Sequence, residues 1–228
     1  MKDDSNIARR RKAAMAEGGV EYTAKRDELV RVAVTLFKEK GYKSTSLNDI
    51  AKAAGLDRAT LYYYVASKEE LFEEAVHGVL DANLREAERL LKTATLGPRE
   101  KLQLLFERLM ASYEENYPHT YVYIQEQMQH VDAEATPWER NMVQQTKRFK
   151  RIVTLLLKEG IASGAFRADV PAELAANMLF GMFNWTHRWH RPGGQLNARA
   201  IAAAFCRIFF DGMQDAGDEQ RDTPTFIQ

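Results

Sequence analysis

Apolar residues recur at spacings of three and four along the 228-residue chain, and no stretch alternates apolar with polar positions over the length of a strand. The pattern predicts an all-α protein. A first helix is expected from about Lys25 to Lys40, with Leu29, Ala33, Leu36 and Phe37 on one face and Gly41 as its stop. A second starts after Ser46, where Ser46 and Asp49 have the spacing of a capping box, buries Leu47, Ile50, Ala51 and Ala54, and ends at Gly55. Asp57 suits the N-cap of a short third helix, 58–64, which leaves only Gly55, Leu56 and Asp57 between the two. That spacing is the one a helix-turn-helix requires. Ser67 and Glu70 repeat the capping-box spacing and open a long fourth helix with Phe72, Val76, Val79, Asn83, Ala87 and Leu90 along one side. TATLGP at 93–98 breaks the pattern and marks a boundary. Five further helices are expected over 98–116, 118–129, 137–163, 171–190 and 197–215, separated by Pro118, Pro137, Gly164, Pro171 and the RPGG of 191–194.

The third helix carries three consecutive tyrosines, Tyr62, Tyr63 and Tyr64. Successive side chains turn by about 100°, so the three fan over roughly 200° and cannot share a buried face. With Leu61 and Val65 set on the core side, Tyr63 lies almost opposite, Ala59 beside it, and Thr60 and Arg58 also outward. Tyr62 and Tyr64 flank the core, as packing residues with wet hydroxyls or as contact residues. A helix showing outward a small residue, a threonine, a tyrosine and an N-terminal arginine suits a DNA major groove, its first residues near base edges and its hydroxyls near phosphates. Lys68 is a poor choice for a helix N-terminus on dipole grounds but a sensible phosphate contact. Thr45 and Ser46 either hold phosphate or cap the second helix.

Charge sharpens this picture. The chain is neutral overall, but residues 1–65 hold 13 Lys and Arg against 9 Asp and Glu, so an excess of four positive charges sits at the N-terminal end. No stretch approaches the ~18 apolar residues of a membrane span, and the first 22 residues lack the apolar region of a signal peptide, so a cytoplasmic protein is expected. The lone cysteine, Cys206, excludes an internal disulfide and a cysteine-based zinc site, and reads as a small core residue. His187 and His190 lie three apart without a third ligand at suitable spacing, so no metal and no cofactor are expected. No G-x-S-x-G elbow is present and Cys206 has no histidine near it in sequence, which argues against a thioester-processing enzyme.

GYKSTSLNDIAKAAGLDRATLYYYVASKEELF, 41–72, resembles the DNA-binding domain of TetR-family transcriptional regulators, with glycines, caps and tyrosines in the family's order. The resemblance covers roughly residues 25–75. It implies a dimeric repressor on palindromic operator DNA, with a helical ligand-binding domain whose occupancy controls DNA affinity. By position, Thr45, Arg58, Ala59, Thr60, Tyr62, Tyr63, Tyr64 and Lys68 match operator contacts of such regulators. Val65 departs from the family's more frequent phenylalanine, which is expected to thin the packing under the recognition helix. The chain then divides into a flexible basic extension (1–22) carrying Arg9, Arg10, Arg11 and Lys12, a helix-turn-helix domain (23–70), a helical effector-binding and dimerisation domain (71–216), and a flexible tail (217–228). The extension adds DNA contacts or is an ordinary basic tail.

GMFNWTHRWHRPGG, 181–194, is the second unusual stretch. Trp185 and Trp189, four apart in an expected helix, stack on one face near Met178, Phe180 and Phe183, which suits a dimer interface, an apolar pocket wall or plain core. The segment resembles one end of the eighth helix in TetR regulators that answer to acyl-CoA thioesters. That resemblance implies that Trp185 and Trp189 line a pocket or interface and that Arg188 or Arg191 neutralises CoA phosphates; the other reading of each arginine is a solvated charge or a C-terminal cap. Tyr113, Tyr121 and Trp138 are the expected effector contacts among a set that also holds Tyr117, Tyr123, Met128 and Met142, and the polar tips of the four tyrosines suit an amphipathic ligand. The alternative is a DNA-binding dimer without an effector.

Overall fold

The computed structural model describes residues 19–127 and 137–213. Within them the chain forms nine α-helices and no strand, in agreement with the three-and-four spacing. They are α1 (Val20–Lys40), α2 (Leu47–Ala53), α3 (Arg58–Tyr64), α4 (Lys68–Lys92), α5 (Pro98–Glu115), α6 (His119–Gln127), α7 (Pro137–Ala162), α8 (Ala172–Trp185) and α9 (Ala198–Met213). No helix among the described residues is long and apolar enough to cross a membrane.

Two boundaries differ from the expected ones. Helix α1 begins at Val20, five residues before Lys25, because Tyr22 in its first turn stacks on Tyr64 with ring centroids 5.1 Å apart. Tertiary contact of this kind sustains a helix turn that propensity alone does not. Helix α8 ends at Trp185, not at 190, and a 3₁₀ turn, Thr186–Arg188, follows. Here side chains compete for the last carbonyls: the Thr186 hydroxyl donates to Phe183 O (2.6 Å) and His187 Nδ1 to Asn184 O (2.5 Å). The single helical face that would have stacked Trp185 on Trp189 is therefore absent.

The described helices fall into two compact units. The first holds α1–α3, α4 as far as Val79, and α6; the second holds the rest of α4, α5 and α7–α9. In the first unit α1 is the central element, packed against α2, α3 and α6. Its stripe Leu29, Val30, Ala33, Val34 and Phe37 is buried with Ile50, Ala51, Leu61, Val65, Leu71, Phe72 and Val76, whereas Leu36, Leu47 and Ala54 are only half-buried. Val65 is fully buried as the C-cap of α3, its N–H donating to Leu61 O.

In the second unit α5 packs on α9 and α7, and α8 packs on α7. Phe106 of α5 stacks on Phe183 (centroids 4.3 Å apart) and meets Phe180 edge-on, and Phe149 reaches Phe180 from α7. The end of α7 is a Schellman motif: Ala165 N–H donates to Gly160 O and Gly164 N–H to Ile161 O, with Gly164 at φ 74°. This turn folds Phe166 back onto Gly160 and against Phe210, whose ring lies parallel to it at 5.8 Å.

A Cβ on Gly160 would lie 2.1 Å from Phe166 Cδ2 and 2.3 Å from Cε2. The buried Phe166 ring has no free direction in which to retreat. Gly160→Ala is expected to destabilise the protein by about 1–3 kcal/mol despite alanine's better helix propensity, as seen in urea unfolding. A neutral or stabilising result would show that Phe166 repacks freely.

Candidate DNA-binding surface

The site is built by consecutive caps. Ser46 Oγ accepts Asp49 N–H (3.2 Å) and the Ser46 N–H donates back to Asp49 Oδ2 (2.9 Å), a complete capping box at the start of α2. Hydrogen bonds from the Ser46 hydroxyl and N–H, with Lys40 adding to them, hold the Asp49 carboxyl at about 2, so the box stays closed at neutral pH. At the other end of α2, Leu56 N–H donates to Ala51 O and Gly55 N–H to Lys52 O, with Gly55 at φ 66°. This second Schellman motif reverses the chain in three residues. Asp57 then caps α3, accepting the Thr60 N–H (2.8 Å) and hydroxyl (2.7 Å), and these bonds lower its pKa.

The result presents Arg58, Ala59 and Tyr63 outward on α3, with Tyr63 38% exposed and Leu61 beneath. Beside α3 lies an open groove of about 450 Å³, lined by residues 43–48, Arg58, Tyr62 and residues 66–69. Arg58 lies over the Tyr62 ring at 5.5 Å and donates to its hydroxyl (3.3 Å), which holds the guanidinium at the groove's edge. Lys43 and Arg58 give this rim positive charge, the sign a phosphate backbone requires.

Other expected contact residues are engaged within the protein. Thr45 is 1% exposed, and its hydroxyl donates to Gly41 O (2.9 Å) and Leu36 O (3.4 Å), closing the end of α1. The ammonium of Lys68 donates to three carbonyls, Tyr42 O (2.8 Å), Thr45 O (3.0 Å) and Lys43 O (3.3 Å), and sits 4.5 Å above the Tyr42 ring. An ammonium has three donors, so this set uses them all. Ser46 serves as a cap on the groove rim, and Tyr64 is half-buried, stacked on Tyr22.

The expected effector residues fall in both units. In the second unit Tyr113 is buried on α5, 5.9 Å from the His190 ring. His190 lies 3.1 Å from Glu114, which also accepts the Ala198 N–H at the start of α9. Trp185 and Trp189 are 52% and 48% exposed, so neither is core. Arg188 covers the Trp185 ring at 4.6 Å, while Arg191 donates to His187 O (2.6 Å) and His190 O (2.8 Å), a cap on the 3₁₀ turn. Tyr121 belongs to the first unit, beside Tyr117, and the side chain of Trp138 and all of Met128 lie outside the described residues. Burial raises the Cys206 thiol to about 12, which leaves no thiolate for nucleophilic chemistry at neutral pH.

Residues 29–75 match the family model for bacterial regulatory proteins of the tetR family, and residues 95–213 match that for a tetracyclin repressor-like C-terminal domain. The chain belongs to the TetR family of transcriptional regulators. The HTH-type transcriptional repressor KstR2 of Mycolicibacterium smegmatis is 31% identical over 197 residues, spanning 86% of this chain and 94% of that protein. The solved ketosteroid transcriptional regulator KstR2 of Mycobacterium tuberculosis superposes with a TM-score of 0.75 at 29% identity, over 83% of this chain and 95% of that one. The TetR-family regulator PfmR of Thermus thermophilus gives 0.68 at 30% identity, over 82% and 99%. Family and relatives are regulators rather than enzymes. TetR regulators bind operator DNA, and by its place in the helix-turn-helix α3 is the candidate recognition helix.

Sequence reasoning missed Lys43 and Ser44 on the groove rim, and Tyr22, Arg26 and Tyr42 behind it. Arg26 had a signal: it precedes Leu29, Val30 and Ala33 by three, four and seven residues, which places a charge on the buried stripe of α1. If Lys68 is a clamp and not a contact, Lys68→Met weakens operator binding with the salt slope unchanged, whereas Lys43→Gln lowers the slope by about 0.9. Anisotropy titrations at several salt concentrations measure both, and a slope loss in Lys68→Met would return that ammonium to the phosphates.

Proposed function

We propose that this regulator is a repressor that binds a palindromic operator as a homodimer in the cytoplasm and is released by a small amphipathic effector. The observation that carries the dimer is an exposed apolar stripe. Leu174, Met178, Gly181 and Trp185 follow one another at spacings of four, three and four on the outer face of α8, and Ile208 is exposed on α9. Spacings of this kind keep residues on one helix face, and glycine lets a second helix approach closely. Apolar area in such a row marks an interaction surface. A twofold pairing of α8 and α9 with the same helices of a second copy covers it, and a palindromic operator requires the two recognition helices about one DNA turn, roughly 34–36 Å, apart.

The residues we assign to DNA are Arg58, Ala59, Thr60, Tyr62 and Tyr63 on α3, with Lys43 and Ser46 on the groove rim; Thr45, Tyr64 and Lys68 support them. The likeness to a ketosteroid regulator, together with the NWTHRWHRPGG segment, favours an acyl-CoA thioester of a large apolar acid as effector. Such a ligand represses DNA binding only through its differential affinity for the sensor conformation that spaces the recognition helices wrongly.

Met178→Glu or Trp185→Glu places charge in the stripe and is expected to raise the dimer dissociation constant at least about 30-fold, with operator affinity falling in parallel. Sedimentation velocity reads the first and anisotropy the second; a dimer indifferent to both changes refutes the assigned interface. For the effector, a panel of CoA thioesters, free fatty acids and planar cationic drugs is screened by thermal midpoint. A ligand at 100 times its Kd adds about 2.7 kcal/mol, a rise of roughly 5–10 °C at this size. Thioesters alone should give the rise and release operator DNA, and a flat panel would favour a DNA-binding dimer without a small-molecule effector.

A further inference from the structure

Helix α3 has seven residues, too few to hold its own position, so other elements must supply it. Its last carbonyl, Tyr64 O, accepts a hydrogen bond from Arg26 Nη1 of α1 at 2.7 Å. The same guanidinium donates to Glu70 Oε1 (3.0 Å) and, through Nη2, to Glu74 Oε2, carboxylates one turn apart on α4. Glu70 uses its other oxygen to accept the Ala66 N–H (2.8 Å) in the turn between α3 and α4. Arg26 is 7% exposed. One rigid, planar group therefore joins the end of the recognition helix to the first two turns of α4, and an ammonium has no fork with which to span the same acceptors.

Resting on the DNA-binding reading above, we propose that Arg26 is a positioning residue for operator recognition, the link through which the placement of α4 is imposed on the recognition helix. No part of it needs to touch DNA. Arg26 sits behind α3, and its charge is matched by Glu70 and Glu74, so it adds nothing to the phosphate field. What it fixes is where Arg58, Ala59 and Tyr63 stand relative to the groove rim. Base readout depends on that placement within fractions of an ångström, while non-specific binding depends chiefly on charge. A displacement of α4 at Glu74 pulls on the same guanidinium that holds Tyr64 O, so a shift of the long helix reaches the recognition helix at its C-terminal end.

The prediction separates this role from plain structural support. The probe is the palindromic duplex enriched by the wild-type full-length chain from a random-sequence pool, with a scrambled duplex of equal length as the non-specific control. Glu74→Gln keeps the shape and an acceptor but removes the charge. It is expected to weaken binding to the enriched duplex about tenfold, leave binding to the scrambled duplex unchanged within twofold, and leave the salt slope unchanged. Arg26→Lys, which keeps the charge but not the fork, should do the same or more, and the double variant should be no weaker than Arg26→Lys alone. Circular dichroism establishes that each variant is folded, and if Arg26→Lys is not, Glu74→Gln decides. Equal loss on both duplexes, a changed salt slope, or no loss on the enriched duplex overturns the proposal. A wild-type chain that enriches no sequence overturns the DNA-binding reading and this inference with it.

Discussion

The shortness of α3 is the constraint that organises the N-terminal unit. Seven residues close only a few intrahelical hydrogen bonds, and nucleating a helix costs more than so few return. Its stability and its direction therefore have to come from its ends. Asp57 takes the orphan Thr60 N–H at the start, Val65 N–H returns to Leu61 O at the finish, and Arg26 holds Tyr64 O from behind. Leu61, fully buried, fixes the remaining rotation about the axis.

The groove beside α3 follows from the same logic applied to a loop. Residues 41–46 have no hydrophobic run with which to anchor themselves, and α1 ends in carbonyls that need donors. Thr45 supplies a hydroxyl to Leu36 O and Gly41 O, and Lys68 reaches back from α4 to three carbonyls of the loop. Tyr42 completes the arrangement: its ring packs against Phe37 and Phe72, its face receives the ammonium, and its hydroxyl donates to Glu69 (3.0 Å). A loop held this firmly presents Lys43 and Ser46 with little entropy left to lose on binding, the usual benefit of preorganisation.

These two devices explain what was legible in the sequence. Caps are local, so Ser46 with Asp49, Gly55, Asp57 and Gly164 announced the ends of α2, α3 and α7 within a residue or so. The outward position of Tyr63 followed from helix geometry once Leu61 was put inside. The carbonyl bonds of Lys68 and Thr45 were not legible because their partners lie 23–26 and 4–9 residues away, and backbone acceptors leave no mark in a sequence. Glu70 illustrates the intermediate case. Ser67 Oγ does accept Glu70 N–H as the capping-box spacing implies, but the carboxylate also reaches the Ala66 N–H and Arg26, 44 residues earlier. Only a charge standing on a buried stripe hinted at that partner.

The C-terminal unit shows a local competition redirecting a motif. Periodicity extended through Trp189, but Thr186 and His187 follow the helical turn with side chains able to take its last free carbonyls, and they do. The 3₁₀ turn that results changes the direction of the chain between the two tryptophans. Trp185 continues the exposed α8 stripe under the cover of Arg188, while Trp189 is turned toward Phe205 of α9, with centroids 6.3 Å apart. One aromatic repeat thus supplies two different helices. Both rings remain about half exposed, as do Met178 on α8 and, still more, Ile208 on α9, so exposed apolar side chains stand on both helices of the proposed pairing, which is the breadth a helix-pair interface needs and a single-helix stripe lacks.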